Sequence, residues 1–388
     1  MHHNHSGAFF FLMIAAEIIK HIEQWAPPGV AWERDNVGLQ VGDPSDKLKN
    51  VFLCLELSEA ALDEAIKLEC NFIFTHHPFI FKPLKAINTG TDPKASIIKR
   101  LLTSNITLYS AHTNLDYTKN GVSFVLARKL NLNKIDFLVP QEANQLKVVV
   151  FTPTSDVEKV SEAVFNSGAG IIGEYSGCSF QSKGKGTFTG SENSNPVIGE
   201  KGKSEIVDET RIEFLVDKWK LKKVLKEMLS AHPYEEPAYD IYPLQNKNVN
   251  YGAGAIGELP EYMSVEEFLA SVSKNLDLQG LRFNAGKPGK IKKVAVCGGS
   301  GSDLVNAAIA RGADAFVTAD VKYHTFQDAE YNILLVDAGH YETEIHVLDE
   351  VQERIADLFA ANDHAGKVIK FSESTNPIKF YYNKLGDK

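Results

Sequence analysis

The sequence predicts an α/β protein. Two related α/β halves are expected to form one discontinuous domain, interrupted by a smaller ferredoxin-like α+β insert. Three observations lead there. Short apolar runs alternate with amphipathic stretches up to about residue 140 and again from about 249, the signature of β-α units around a parallel sheet. One half repeats the other: Val51-Phe-Leu-Cys54 and Phe72-Ile-Phe-Thr75 match Val294-Ala-Val-Cys297 and Ala315-Phe-Val-Thr318, and both Cys-to-Thr separations are 21 positions. Between the halves the order changes to β-α-β-β-α-β, with its own start and stop. The boundaries read as 13–140 for the first half, 141–248 for the insert and 249–388 for the second half.

In the first half, Ile14, Ile18, Ile22 and Trp25 recur at helical spacing, and Ala26-Pro-Pro28 stops that helix. Trp32 to Asp43 reads as a polar loop with two glycines. Asn50 to Leu55 is a buried strand, and Ser58 is a suitable N-cap for a helix to Leu68 whose Ala61, Leu62, Ala65 and Ile66 share a face. The strand Phe72 to Thr75 runs into His76-His77-Pro78, where the proline ends it. A helix over about Pro93 to Ser104 and a strand from Ile106 to Ser110 lead into Ala111-His-Thr-Asn-Leu-Asp116, and a helix spans about Val122 to Leu130.

The insert reads as a strand Leu146 to Phe151, a helix Val157 to Ser167, a glycine-rich loop plus strand from Gly168 to Gly190, a strand Arg211 to Val216, a helix Leu221 to Ser230 and a closing strand after His232-Pro-Tyr-Glu-Glu-Pro. In the second half a helix (Ser264 to Asn275) precedes the strand Lys293 to Cys297 and a tight turn, Gly298-Gly-Ser-Gly-Ser-Asp303. A helix Asp303 to Arg311 and strands Ala315 to Thr318 and Ile333 to Val336 follow, the last ending in Asp337-Ala-Gly-His-Tyr-Glu-Thr-Glu344. A helix Ile345 to Ala361 and a strand Val368 to Phe371 close the chain.

The 388 residues allow two or three domains, and 44% hydrophobic with 23% charged residues is a globular composition. A net charge of −9 argues against a general nucleic-acid-binding surface and leaves room for a local basic pocket. Four cysteines without a CxxC pair make no disulfide framework; Cys54 and Cys297 read as small core residues, which fits a reducing compartment. Gly7 to Ala16 looks like the apolar core of a signal peptide, but no Lys or Arg precedes it and Glu17 follows it. Met13 is the expected natural start, so His2, His3 and His5 stay outside any site. No run reaches the ~18 apolar residues of a membrane span. The expected location is the cytoplasm, without a membrane partner.

Chemistry concentrates at the strand ends. Asn105-Ile-Thr-Leu ends in His112 and Asp116, and Asn332-Ile-Leu-Leu ends in His340 and Glu344, each a histidine and an acid four positions apart. Ligands bind at the carboxyl ends of strands in open α/β sheets, so His76, His77, Asp116, His340 and Glu344 are expected to converge in one cleft. Imidazoles mixed with carboxylates suit Zn, Fe, Mn or Co rather than Ca. Five ligands exceed the three of one catalytic zinc and suit two divalent ions ~3.5–4 Å apart. A lone histidine after a strand is usually a satisfied core or surface residue, and a His/Glu pair at i, i+4 is usually a solvated helix face. The repeat weakens both readings, because the features fall at equivalent places. His112 reads as a residue that contacts substrate or supports a ligand, with a hydrogen-bonded structural histidine the competing reading. His324, in Asp320-Val-Lys-Tyr-His324, is a candidate proton donor. Gly298-Gly-Ser-Gly lacks the Lys-Ser/Thr of a phosphate-binding loop. His232-Pro-Tyr-Glu-Glu-Pro has metal-binding residue types, but its two prolines favour a shaped loop.

Trp32-Glu-Arg-Asp-Asn-Val-Gly-Leu-Gln-Val-Gly, Thr75-His-His-Pro, His112-Thr-Asn-Leu-Asp116, Thr318-Ala-Asp-Val-Lys-Tyr-His324 and Gly339-His-Tyr-Glu-Thr-Glu344 together resemble the Nif-three-like dinuclear metal proteins, the GTP cyclohydrolase 1 type 2 homologues. The resemblance covers nearly the whole chain from about Met13. It implies the same five residues as ligands and leaves His112 out of the ligand set. Leu146 to Leu244 resembles the PII/CutA-like insert of the longer bacterial members. A toroidal homohexamer, with metal sites facing an inner cavity, is implied as well. The expected function is that of a metal-dependent hydrolase acting through metal-activated water. Its small-molecule substrate would be GTP, another purine nucleotide or a phosphoester, with His112 or His324 moving protons and Arg34, Lys82, Lys85 and Lys322 meeting phosphate. The alternative is a non-enzymatic, metal-loaded regulatory or sensor protein acting through the insert.

Overall fold

The structure, a computed structural model, describes residues 13–287 and 289–381; His2, His3, His5 and the apolar stretch as far as Leu12 lie outside the described residues. The chain divides into two units, one built from the residues up to Val139 and from Tyr251 onward, the other from Pro140–Asn250.

In the first unit, α1 (Ala15–Trp25) precedes β1 (Gly38–Val41), β2 (Asn50–Cys54), α2 (Glu59–Lys67), β3 (Cys70–Thr75), α3 (Pro93–Thr103), β4 (Thr107–Ser110), α4 (Thr113–Asp116), α5 (Val122–Lys129) and β5 (Asn133–Glu142). Local chemistry sets the helix starts. Ser58 Oγ accepts from Ala61 N at 3.1 Å, and Asp92 caps α3 with Pro93 in the first turn. The stretch expected to be an entire polar loop contains β1, which pairs antiparallel with β4. Its exposed Leu39 and intervening polar residues are the pattern of an edge strand, which the glycines masked.

The second unit is the run β6 (Gln145–Pro153), α6 (Val157–Asn166), β7 (Ser179–Thr189), β8 (Ser204–Asp217), α7 (Leu221–Ala231) and β9 (Tyr239–Pro243). Its strands form an antiparallel sheet of order β7-β8-β6-β9. Val148, Val150, Ile212 and Phe214 on the sheet and Val160, Val164, Val224 and Met228 on the helices make its core.

The chain returns to the first unit with β10 (Lys247–Met263), α8 (Val265–Asn275), β11 (Arg282–Phe283), β12 (Ile291–Ser300), α9 (Val305–Ala310), β13 (Ala315–Ala319), α10 (Tyr323–Ala329), β14 (Leu334–Asp337), α11 (His340–Glu344), α12 (Val347–Ala361) and β15 (Val368–Lys370). Strands β5 and β10 were not anticipated, because charged and polar residues in β5 and glycines in β10 break any clean period. The glycine-rich segment after Cys297 is not a turn throughout: β12 runs on to Ser300, with a register irregularity between Val296 and Ser300.

Two sheets organise this unit, β1-β4-β3-β2-β15 and β11-β14-β13-β12-β10-β5. The parallel trio β2-β3-β4 has its counterpart in β12-β13-β14, and each trio carries an antiparallel strand, β1 or β11, on its third member. The central strands are apolar on both faces, as a parallel sheet covered by helices on both sides requires. The covering is exchanged between the halves. Helix α12 packs Val351, Ile355 and Phe359 against Val51, Leu53, Phe72 and Phe74 of the first sheet, and β15 pairs parallel with β2. Helix α5 packs Phe124, Leu126 and Ala127 against Val294, Val296 and Val317 of the second, and β5 joins that sheet beside β10. Among the described residues no helix is long and apolar enough to cross a membrane. All four cysteines are free; Cys54 is buried as expected, whereas Cys297 is only partly buried.

Because α12 fills the core of the opposite half, Ile355→Ala, at a fully buried position, is expected to destabilise by about 2–5 kcal/mol. Urea unfolding measures this. A change below about 1 kcal/mol would mean that α12 does not support the first sheet.

Candidate metal centre

Strand β3 delivers His76 and His77 at its end. The backbone turns away from the sheet there: Ala111 N donates to Thr75 O at 3.0 Å, while His77 N donates to Leu55 O at 2.9 Å. Leaving the sheet lets two adjacent side chains serve the same side, which a continuing strand forbids. His112 and Asp116 come from the start and end of the short α4, and His340 and Glu344 from α11, so each pair spans one helical turn.

These six residues meet. Three overlapping sets have potential ligand atoms within 4.8 Å of one another: His76, His77 and His112; His77, His340 and Glu344; His76, Asp116 and Glu344. Across the long intervening chain, His77 Nε2 lies 3.1 Å from Glu344 Oε2, and His76 Nε2 lies 3.8 Å from Glu344 Oε1 and 3.5 Å from Asp116 Oδ1. His340 Nε2 is 3.2 Å from Glu344 Oε1. His112 therefore stands within the cluster itself. His324 belongs to none of the three sets; it is exposed in the first turn of α10, edge-on to Tyr323.

All four clustered histidines are held the same way. His76 Nδ1 meets Ala111 O at 2.8 Å, His77 Nδ1 meets Glu56 Oε1 at 2.9 Å, His112 Nδ1 meets Asp35 Oδ2 at 2.9 Å, and His340 Nδ1 meets Asp320 Oδ2 at 2.6 Å. A carbonyl or ionised carboxylate only accepts, so each Nδ1 carries a proton and each Nε2 is left as the donor atom for a ligand. Histidines that bind metals are characteristically oriented this way. Asp35, Glu56 and Asp320 were not among the residues singled out from the sequence. One signal pointed to Asp320: it stands two places after Thr318, as His77 stands two places after Thr75.

The donor set fits a metal. His76 is fully buried and Glu344 is 3% exposed. His76 Nε2 and Asp116 Oδ1 are both sealed from solvent without a hydrogen bond. Buried polar atoms without partners are costly, and a cation between them would satisfy both. Electrostatics agree. Burial would push the Glu344 carboxyl up, but His76, His340 and His77 around it hold it well below the usual carboxylate range. Asp116 moves the other way, raised by burial despite His76 beside it. His77, disfavoured as a cation by burial, is nonetheless raised to about 10 by hydrogen bonds to Glu344 and Glu56. Glu344 likewise helps raise His340 to about 9. Burial opposes the charge on Asp35, but hydrogen bonds from His112 and Thr113 bring its carboxyl down to about 2.

Gly299 belongs to this centre. It has φ +61°, and a Cβ there would lie 2.2 Å from Glu344 Oε1 and 3.2 Å from His340 Nε2. The irregularity in β12 is what brings its backbone so close, with Gly299 N donating to Thr343 Oγ1 at 3.0 Å.

The family model for Duf34/NIF3 (NGG1p interacting factor 3) matches residues 13–377. A Halalkalibacterium halodurans protein named GTP cyclohydrolase 1 type 2 homolog is 40% identical over 365 residues, covering 94% of this chain and 98% of its own. A Bacillus subtilis protein of the same name is 38% identical over 366 residues, with the same coverage. A crystal structure of a Bacillus cereus protein related to NIF3 superposes with a TM-score of 0.81 at 38% identity, covering 95% of this chain and all of that one.

Two outcomes follow from the geometry. At pH 7 the metal-free His77 and His340 are protonated, and a ligand histidine must be neutral, so loading with zinc releases a proton from each of them and tightens as pH rises toward 9–10. Calorimetric titration in buffers of different ionisation enthalpy counts them; no release would exclude these two histidines as ligands. Second, Asp320→Asn and Gly299→Ala each weaken metal binding, the former by about 10–100-fold, with the helical circular dichroism unchanged.

Proposed function

The chain belongs to the Duf34/NIF3 family, and from that premise we propose that it is a dinuclear, metal-dependent hydrolase of a purine nucleotide or a related phosphoester. The observation that carries the reading is the set of four histidines whose Nδ1 atoms are all tied to acceptors beside two carboxylates. His76, His77, Asp116, His340 and Glu344 would hold two divalent ions, Zn, Fe, Mn or Co by the softness of the donors. Bound there, such ions supply Lewis acidity and a lowered pKa for water.

The protein's own residues do the rest. Asp35 stays ionised and fixes His112 by Nδ1, so His112 Nε2 is free to take a proton from the attacking water and return it to the leaving group. Thr113 steadies the same carboxylate through its N–H at 3.1 Å and its Oγ1 at 2.5 Å. We assign this proton transfer to His112, with His324 as the outer candidate. Arg34, Lys82, Lys85 and Lys322 are exposed on segments adjoining Asp35, His77 and Asp320, and their side chains have no hydrogen bond or ion pair among the described residues. Free cations at those positions suit the phosphates of an anionic substrate. The names of the relatives, GTP cyclohydrolase 1 type 2 homolog, favour GTP as the first nucleotide to try.

The unit Pro140–Asn250 is read as a ferredoxin-like, PII/CutA-like insert, supported by its β-α-β-β-α-β order and its four-stranded antiparallel sheet. A homohexamer in the cytoplasm completes the proposal, and four free cysteines accord with a reducing location.

Metal-loaded protein is expected to release formate from GTP or phosphate from a member of a phosphoester panel. His76→Ala and Glu344→Ala abolish both metal binding and turnover. His112→Ala keeps the metals and lowers kcat by about 10²–10⁴-fold. No turnover across the panel with metal content intact would reject the hydrolase and leave the metal-loaded sensor.

A further inference from the structure

The unit Pro140–Asn250 contains a cavity of about 620 Å³ that the metal chemistry does not use. The volume lies within the ~300–1,000 Å³ typical of small-molecule sites. Its walls include Phe151, Phe188, Val197 and Tyr234, and its charged groups are Glu209, Glu235 and Glu236, with no lysine or arginine lining it. Phe188 and Tyr234 lie ring to ring at 6.0 Å, tilted by 61°.

The His232-Pro-Tyr-Glu-Glu-Pro segment shapes this cavity. His232 Nδ1 accepts from Tyr234 N at 3.1 Å and Nε2 donates to Phe151 O at 2.9 Å, so both ring nitrogens are used. The histidine is a neutral strut and not a metal ligand. Tyr234 Oη donates to Glu209 Oε1 at 3.1 Å, and Asn195 N donates to Glu235 Oε1 at 2.7 Å, which ties the 191–198 loop to the cavity wall. Glu236 has no hydrogen bond or ion pair among the described residues.

The cavity is thus negative, walled by aromatic rings, and uncompensated. An inorganic cation is a poor occupant. Among the described residues, the sets of three or more potential ligand atoms close enough to chelate an ion all lie at the metal centre, so these three carboxylates do not converge on one point. An organic cation needs no chelation. It sets its charge among separated carboxylates and over aromatic faces, and its apolar body against Phe151 and Val197.

We propose that this cavity, formed by Phe151, Phe188, Glu209, Tyr234 and Glu236, is a binding site for a small organic amine with an apolar or aromatic body. The site goes beyond the hydrolase reading and stands or falls separately from it.

Calorimetric titration of the full-length protein with phenethylamine, phenethyl alcohol and phenylpropionate tests the proposal. The amine is expected to bind at least about tenfold more tightly than the alcohol, and the acid not at all. Glu236→Gln and Glu209→Gln should each weaken the amine by about tenfold and leave the alcohol unchanged. Glu236 is exposed, so its substitution spares the fold. Phe188→Ala should weaken both ligands. In His76→Ala the amine affinity should stay the same, which separates this site from the metal centre. Equal binding of amine and alcohol, indifference to both glutamate substitutions, loss of amine binding in His76→Ala, or no binding at ~10 mM amine would each overturn the proposal.

Discussion

Two carboxylates that share one protected space constrain everything around them. Glu344 is almost wholly buried, and Asp116 turns one oxygen into the same region. Unopposed, like charges at this separation and burial are expelled or neutralised by protonation. The fold supplies four imidazoles from three different segments, and each is prevented from turning away by its Nδ1 contact. The acidic residues behind the histidines have a purpose that can be read from this constraint. Glu56, Asp35 and Asp320 set acceptor carboxylates behind the histidines, which makes the interior more hospitable to cations than the six inner residues alone would.

This support extends away from the site. Glu56 is held in turn by the Thr375 hydroxyl, and Asn376 donates to Glu342, next to the cluster on α11. Asn36 bonds Ile80 O, while Gln40 Oε1 accepts from Ile80 N at 3.1 Å, so the loop carrying Asp35 and the loop after His77 are stapled together. The geometry of the histidines is therefore fixed by chain ends and loops that never enter the centre, a common requirement of precise polar sites.

The repeat was the most informative part of the sequence, because strand period and spacing are local properties. The registers Cys54↔Thr75 and Val296↔Val317 align the two trios much as the 21-position spacing suggested. The convergence of His76, His77, Asp116, His340 and Glu344 was legible for the same reason, since each stood in a segment that follows a recognisable strand. What escaped was non-local. Asp35 sits in a loop whose neighbours gave no period, and its partnership with His112 exists only because β1 packs beside β4. Gly299 looked like a turn glycine, whereas its lack of a side chain answers to the nearness of Glu344. His112 could be placed near the site by the repeat but not inside the cluster, because register within a repeat does not give side-chain direction.

The pairing of β5 with β10 bears on what the sheet requires of the chain between them. Gly252 lies against Phe137 and Val139, and Gly257 against Asn133 and Leu132, so the two strands run in opposite directions as sheet neighbours. The chain leaves the first unit along one of them and comes back along the other. In architectural terms the entire segment between is an oversized hairpin loop. Hairpin tips tolerate insertions because strand pairing below them is already complete. A short turn at this point would leave the pairing of β5 with β10 complete, so the strands of this sheet do not depend on what lies between them in the chain.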